Sequence, residues 1–262
     1  MKSGKERAIA HYIAAFLLAA AGYVGLPTLY YALSGSQEMP LLTYYAMNAL
    51  SQVFLFALPA LLIVSAYPQR WQRFKGRFKR MSVDTAGYCM LGAVGSTVVV
   101  SLIILLWQPY VERMMGYVPQ DTPLPSPANA GEWLLSVLCI AVVPAVSEEM
   151  FFRGFLQSAL KTRFPNAALW LTALIFAAMH FEIASLPGLL LVGWVLGMLL
   201  ERHSLTACMF FHAVYNCVVL ILSTANTGIG WMGIMLSMLA YLFSIGRLKK
   251  GEYNDATDGT GL

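Results

Sequence analysis

Residues 132–158 read EWLLSVLCIAVVPAVSEEMFFRGFLQS, a run of 27 positions in which Glu148, Glu149 and Arg153 stand deep inside otherwise apolar sequence. About 20 predominantly apolar residues suffice to cross a bilayer as a helix, so this stretch reads as a membrane span. An ionisable group inside such a span costs several kcal/mol unless paired or wet, and marks a functional site by default. The fold and the chemistry are therefore read from the same residues.

Working outward, further apolar runs fall near residues 8–33, 41–67, 86–107, 166–184, 186–200, 204–222 and 227–245. Together with 132–158 they predict an all-α, polytopic transmembrane bundle of about eight spans. The whole chain agrees: 58% of its 262 residues are hydrophobic and 11% charged, with a mean hydropathy of +0.65. Soluble domains carry roughly 25% charged residues. Three segments are expected: residues 1–131 with three spans and a basic loop, 132–222 as the catalytic core, and 223–262 with the last span and a tail.

The start of the chain resembles a signal peptide, with Lys2, Lys5 and Arg7 before an apolar run and a small-residue site at Ala19-Ala20-Ala21. That run continues through Leu33, too long for a signal h-region, so a retained first span is expected. Basic residues gather in cytoplasmic loops. With the N-terminus inside, Lys2, Lys5, Arg7, the Arg70–Arg80 cluster, Lys161, Arg163, Arg202, Arg247, Lys249 and Lys250 all fall on the cytoplasmic side, and only Arg113 falls outside. A multi-pass membrane protein with both termini cytoplasmic is the expectation.

Between the second and third spans, Trp71, Phe74, Phe78 and Met81 recur at helical spacing among Arg70, Arg73, Lys75, Arg77, Lys79 and Arg80. This pattern fits an amphipathic helix on an anionic leaflet, with membrane lipids as partners and no nucleic acid expected. An ordinary basic loop with no binding role fits it as well. Pro109, Pro119, Pro123, Pro125 and Pro127 predict a mostly non-helical outer loop over 108–131. Cys89, Cys139, Cys208 and Cys217 stand singly in apolar sequence, as packing thiols do. His11 and His203 read as interface or surface residues.

Adjacent helical residues diverge by about 100°, so Glu148 and Glu149 cannot share a face. Glu149 and Arg153, four apart, can pair as supporting residues. Glu148 must then find its partner on another helix. Pro144 frees the carbonyl of Ile140 and predicts a kink nearby. His180 in the fifth span and His212 with Asn216 one turn later in the seventh are the candidates; counted at ~1.5 Å per residue, all four lie roughly 13–20 Å below the inner surface.

A carboxylate and an imidazole flanking one water form a general-base pair, here Glu148 with His180. A second imidazole and an amide N–H supply donors to a developing oxyanion, here His212 with Asn216. Hydrolysis of an amide or ester follows from that set. Zinc held by Glu148, His180 and His212 is the metal alternative. Without an HExxH motif, and with Asn216 a poor ligand beside His212, no cofactor is favoured.

Glu148-Glu149-x-x-x-Arg153, Phe176-x-x-x-His180 and His212-x-x-x-Asn216, in that order on separate spans, resemble the CPBP family of CAAX proteases and bacteriocin-processing enzymes. That family, also termed Abi, holds the type II CAAX prenyl endopeptidases, or Ras-converting enzymes. Phe152-Arg153-Gly154-x-Leu156 extends the likeness. It implies an eight-helix intramembrane endopeptidase with Glu148, His180, His212 and Asn216 catalytic, acting on a membrane-associated protein or peptide. The family is described both as metalloproteases and as glutamate peptidases. The rival readings are an ion or solute transporter, for which the sequence shows no inverted repeat, and a non-catalytic peptide-binding immunity protein.

Overall fold

The computed structural model describes residues 11–34 (apart from 12 and 16), 39–117, 127–225 and 230–250, and every regular element among them is helical. Lys2, Lys5, Arg7, Pro119, Pro123, Pro125 and the tail from residue 251 lie outside the described residues.

α1 is a π-helical turn, Ala21–Gly25, running into Leu26–Ser34. α2 follows at Leu41–Ser65, the short α3 at Pro68–Gly76, and α4 at Val83–Met115. α5 covers Ala130–Arg163, α6 Ala168–Ala178 and α7 Leu186–Arg202. α8 is Leu205–Ala225 and α9 Trp231–Lys249. Among the described residues five helices are long and apolar enough to cross a membrane: α2, α4, α5, α8 and α9. On α9 the apolar Trp231, Met235, Leu239 and Leu242 are each more than 60% exposed. A face so apolar and so bare suits lipid rather than water.

Local chemistry sets the helix ends. Asn129 caps α5 by accepting from the Glu132 N–H at 3.0 Å, while the Glu132 carboxylate accepts from Ala128 N–H and Asn129 Nδ2. Ser82 caps α4 through Thr85 N–H. Gly116, at φ 77°, ends α4 in the left-handed conformation, where its N–H reaches the Glu112 carbonyl.

Three boundaries correct the reading by sequence. α4 runs through Pro109 to Met115, so the segment expected to be an outer loop begins as helix. A proline near a helix end removes one backbone bond, and solvent can satisfy the freed carbonyl. The fifth span was expected over 166–184, but α6 stops at Ala178 and leaves His180 in a turn beyond it. Beyond Ala178 the His180 and Phe181 N–H groups reach back only three residues, and the chain then turns away at Phe181, whose φ of 53° lies in the left-handed region. The predicted amphipathic segment is also shorter, ending at Gly76 and leaving Phe78 and Met81 outside α3.

α4 packs along α7, α8 and α9, and α5 along α2, α6 and α8. Small residues permit the closest crossings. A Cβ on Gly95 would meet the Ser237 carbonyl oxygen at 2.7 Å and Tyr241 N at 2.8 Å, so α4 and α9 approach backbone to backbone there. All four cysteines are free thiols, as expected for packing residues. His203 sits between α7 and α8 and bonds the Leu248 carbonyl at the end of α9.

Candidate functional site

Two π-helical turns, Val137–Val142 and Met150–Leu156, interrupt α5 on either side of Val143–Glu149. A π-turn widens the helix by one residue per bond and re-aims the carbonyls and side chains around it. The Cys139 carbonyl accepts from Asn48 Nδ2 of α2 at 2.9 Å, and the Ala141 carbonyl from Asn216 Nδ2 of α8 at 3.4 Å. Disrupted backbone inside an apolar bundle needs such side-chain partners. The disturbance expected from Pro144 is thus a π-turn just before it, tied to helices on both sides.

Glu148 and Glu149 are 6% and 0% exposed. Glu149 Oε1 takes Arg153 Nη1 at 3.1 Å and His212 Nδ1 at 2.9 Å. The first contact is the i,i+4 pair expected from sequence; the second joins α5 to α8. Fully buried Arg153 also donates from Nη2 to the Gly193 carbonyl at 3.0 Å and lies 4.5 Å from the centroid of Phe176. One turn further, Gln157 Nε2 donates to the Gly197 carbonyl at 3.2 Å. Glu149, Arg153 and Gln157 therefore form a buried polar ladder from His212 to the backbone of α7.

The imidazoles are held in matching ways. His212 Nδ1–H donates to the Glu149 carboxylate, which leaves Nε2 facing Glu148 Oε2 at 4.0 Å. His180 Nδ1–H donates to the Phe176 carbonyl at 2.8 Å, leaving its own Nε2 for other partners. The Phe176 ring meets both imidazoles edge-on, with centroids 4.8 Å and 5.8 Å away. The turn bearing His180 is moored by Trp107 Nε1 of α4, which donates to the Ile183 carbonyl at 2.9 Å.

Glu148, His180 and Asn216 line one cavity of about 250 Å³ with Tyr44, Asn48 and Gln52. His212 stands outside that lining, buried behind Glu148. Glu148 Oε2 and Gln52 Oε1 are both buried without a hydrogen-bond partner in the protein. Tyr44, Asn48 and Gln52 are four residues apart, so one face of α2 supplies a whole wall. Reasoning from motifs missed these three, together with Gln157, Gly193 and Gly197; polar residues repeating at helical spacing in an apolar span were the available signal for α2.

The donor types would suit zinc, and an imidazole whose Nδ1–H meets a carboxylate is a familiar ligand arrangement. Their positions do not suit it: among the described residues no three His, Cys, Asp or Glu side chains converge as a metal site.

Residues 130–218, about a third of the chain, match a family model described as type II CAAX prenyl endopeptidase Rce1-like. This agrees with the resemblance carried by the motifs, and at family level the likeness is to CAAX-type intramembrane proteases. Neither the curated proteins nor the solved structures include a match to this chain.

Proposed function

We propose that the cavity between α2, α5, α8 and the turn after α6 is the active site of an intramembrane endopeptidase. The observation that carries this reading is the Glu148 carboxylate. It is buried in a membrane-spanning helix, Oε2 accepts no hydrogen bond from the protein, and His180 and Asn216 line the same cavity. A buried polar atom left unpaired calls for an explanation, and a water or substrate held there supplies one.

In this reading one water donates its two hydrogens to Glu148 and to His180 Nε2. As the water oxygen bonds to the scissile carbonyl carbon, Glu148 takes the proton, and the carbonyl π electrons move onto oxygen. Asn216 offers that oxyanion an amide N–H. His212, held by Glu149 at Nδ1, stands behind Glu148 with Nε2 4.0 Å from Oε2 and orients that carboxylate toward the cavity. Glu148 then returns the proton to the amide nitrogen as the C–N bond breaks. No step is routed through a metal ion.

The substrate is a membrane-associated protein or peptide, of the CAAX type or a processed bacteriocin-like peptide. Eight spans with both termini cytoplasmic belong to the same proposal, supported by the distribution of Lys and Arg.

The test is cleavage by the full-length protein in nanodiscs of a peptide library that includes farnesylated and unmodified CAAX termini, with products identified by mass spectrometry. Wild type should cleave at a defined bond and Glu148→Gln should not. A folded wild type that cleaves nothing, or a Glu148→Gln protein that cleaves equally well, sinks the reading and leaves a transporter or a sequestering protein.

A further inference from the structure

The cavity between α2, α5, α8 and the turn after α6 holds more hydrogen-bond acceptors than one water can satisfy. Glu148 Oε2 and Gln52 Oε1 are both buried with no partner in the protein. His180 gives its Nδ1–H to the Phe176 carbonyl, so its Nε2 is a third acceptor. A nucleophilic water has two hydrogens, which Glu148 and His180 take. Gln52 is then left with a desolvated oxygen unless a donor arrives with the substrate.

The neighbours of Gln52 on α2 fix where it sits. Four residues before it, Asn48 Nδ2 donates to the Cys139 carbonyl of α5 at 2.9 Å. Four residues after it, buried Phe56 packs on Phe152 and Phe151 of α5, with ring centroids 5.3 Å and 5.6 Å away. α1 abuts the same stretch: a Cβ on Gly22 would meet Phe54 Cβ at 2.6 Å and the Ser51 carbonyl oxygen at 3.0 Å. Directly after Gln52, α2 turns π-helical over Val53–Ala57, an irregularity that recurs at functional sites. Polar residues in a span commonly serve as interhelical glue. Asn48 does so, whereas the Gln52 oxygen on the same stripe bonds nothing in the protein.

Apart from Glu148 and His180, the polar lining is neutral: Tyr44, Asn48, Gln52 and Asn216. A neutral lining suits a neutral donor, and a carboxamide, with an acceptor oxygen beside N–H donors, matches a peptide unit in both senses. We propose that Gln52 binds the substrate main chain, its Oε1 accepting a backbone N–H at the cleaved bond or at the peptide bond on either side of it. This rests on the peptidase reading and adds a specificity to it. The substrate carries a secondary amide at that position, and proline, which has no N–H, is rejected there.

Full-length wild type in nanodiscs would be compared with Gln52→Ala and the similarly shaped Gln52→Met. Each would be given the library peptide that wild type cleaves best, and three analogues in which one of those N–H groups is replaced by an ester oxygen. The readout is kcat/KM for cleavage at the same bond. Losing either half of one neutral hydrogen bond should lower kcat/KM about tenfold, for both variants on the parent peptide and for one ester on wild type. The two losses should not add, so the variants should show a penalty for that ester roughly tenfold smaller than wild type does. The other two esters should carry the same penalty in all three proteins. Any difference in the intrinsic reactivity of an ester cancels in these ratios. Variants that slow all four substrates by one common factor would assign Gln52 to the water or to packing and overturn the inference, as would variants as fast as wild type. A wild type that cleaves no peptide is a separate result, which removes the peptidase reading and this inference with it.

Discussion

His212 donates from Nδ1 to Glu149 Oε1 at 2.9 Å and turns its Nε2 to within 4.0 Å of Glu148 Oε2. One imidazole thus bridges two adjacent carboxylates that point to different sides of α5, and the two acids differ in their partners. Each has an Oε2 without a hydrogen-bond partner, but Glu149 is held through Oε1 by Arg153 and His212, whereas Glu148 lines the cavity.

That difference predicts how the two acids fail. Glu148→Gln should lower the cleavage rate about 10²–10⁴-fold, the range for loss of a general base, with the unfolding transition unchanged. Glu149→Gln leaves a buried guanidinium without its counter-charge, and should cost about 3–5 kcal/mol of stability. Its activity should be partial where the protein still folds. Peptide cleavage and thermal unfolding on both variants decide the matter; a stable, inactive Glu149→Gln beside an active Glu148→Gln would exchange the roles.

Gly193 predicts a test of the packing behind the imidazoles. A Cβ there would meet Ala173 Cα and Phe176 Cδ1 at 3.1 Å and the Ala173 carbonyl oxygen at 3.2 Å. Two of these three neighbours are backbone atoms of α6 and cannot swing aside. Gly193→Ala should therefore cost about 1–3 kcal/mol, as overpacking does, and slow cleavage by displacing Phe176 from both imidazoles. Unfolding at wild-type temperature would show that α6 and α7 are less tightly apposed than this.

The α2 wall separates a structural contact from a cavity residue. Asn48→Ala removes the bond to the Cys139 carbonyl and should lower stability by about 0.6 kcal/mol, and at most about 1.7, the span measured for polar contacts between membrane helices. Gln52→Ala removes a buried oxygen that has no partner, so it should leave stability unchanged or raise it. Equilibrium unfolding in mixed micelles ranks the two, and the opposite order would contradict the contacts described.

What could be read in advance was local. Glu149 and Arg153 are four residues apart on one helix, so their pairing follows from geometry that sequence spacing encodes. The bond from His212 to Glu149 spans 63 positions and depends on how α5 and α8 cross. It also depends on two π-turns whose effect on side-chain direction no spacing rule conveys. His180 kept its place in the motif but lost its helix, because the Phe181 backbone conformation was invisible in an apolar run. Pro109 misled in the opposite direction, being accommodated inside α4. Tyr44, Asn48 and Gln52 repeat every fourth residue and were legible as a polar stripe, yet matched no motif.

The last prediction concerns metal. A histidine whose Nδ1–H meets a carboxylate has a basic Nε2, the kind of donor zinc prefers, so His212 alone argues for a ligand. A site needs three such donors directed at one point, about 2.0–2.2 Å from the ion. Among the described residues no group of three provides this. His212 Nε2 already lies 4.0 Å from Glu148 Oε2, close to the span one bridging ion would require. The third donor is what is missing. His180 follows a short helix and a left-handed residue, and moving it toward the other two would break its bond to the Phe176 carbonyl or the Trp107 mooring of its loop. Purified active protein should therefore contain substoichiometric metal and keep its activity after prolonged incubation with a chelator. Elemental analysis returning about one zinc per chain, with activity lost on chelation and restored by zinc alone, would mean that the loop after α6 closes onto Glu148 and His212 around the ion.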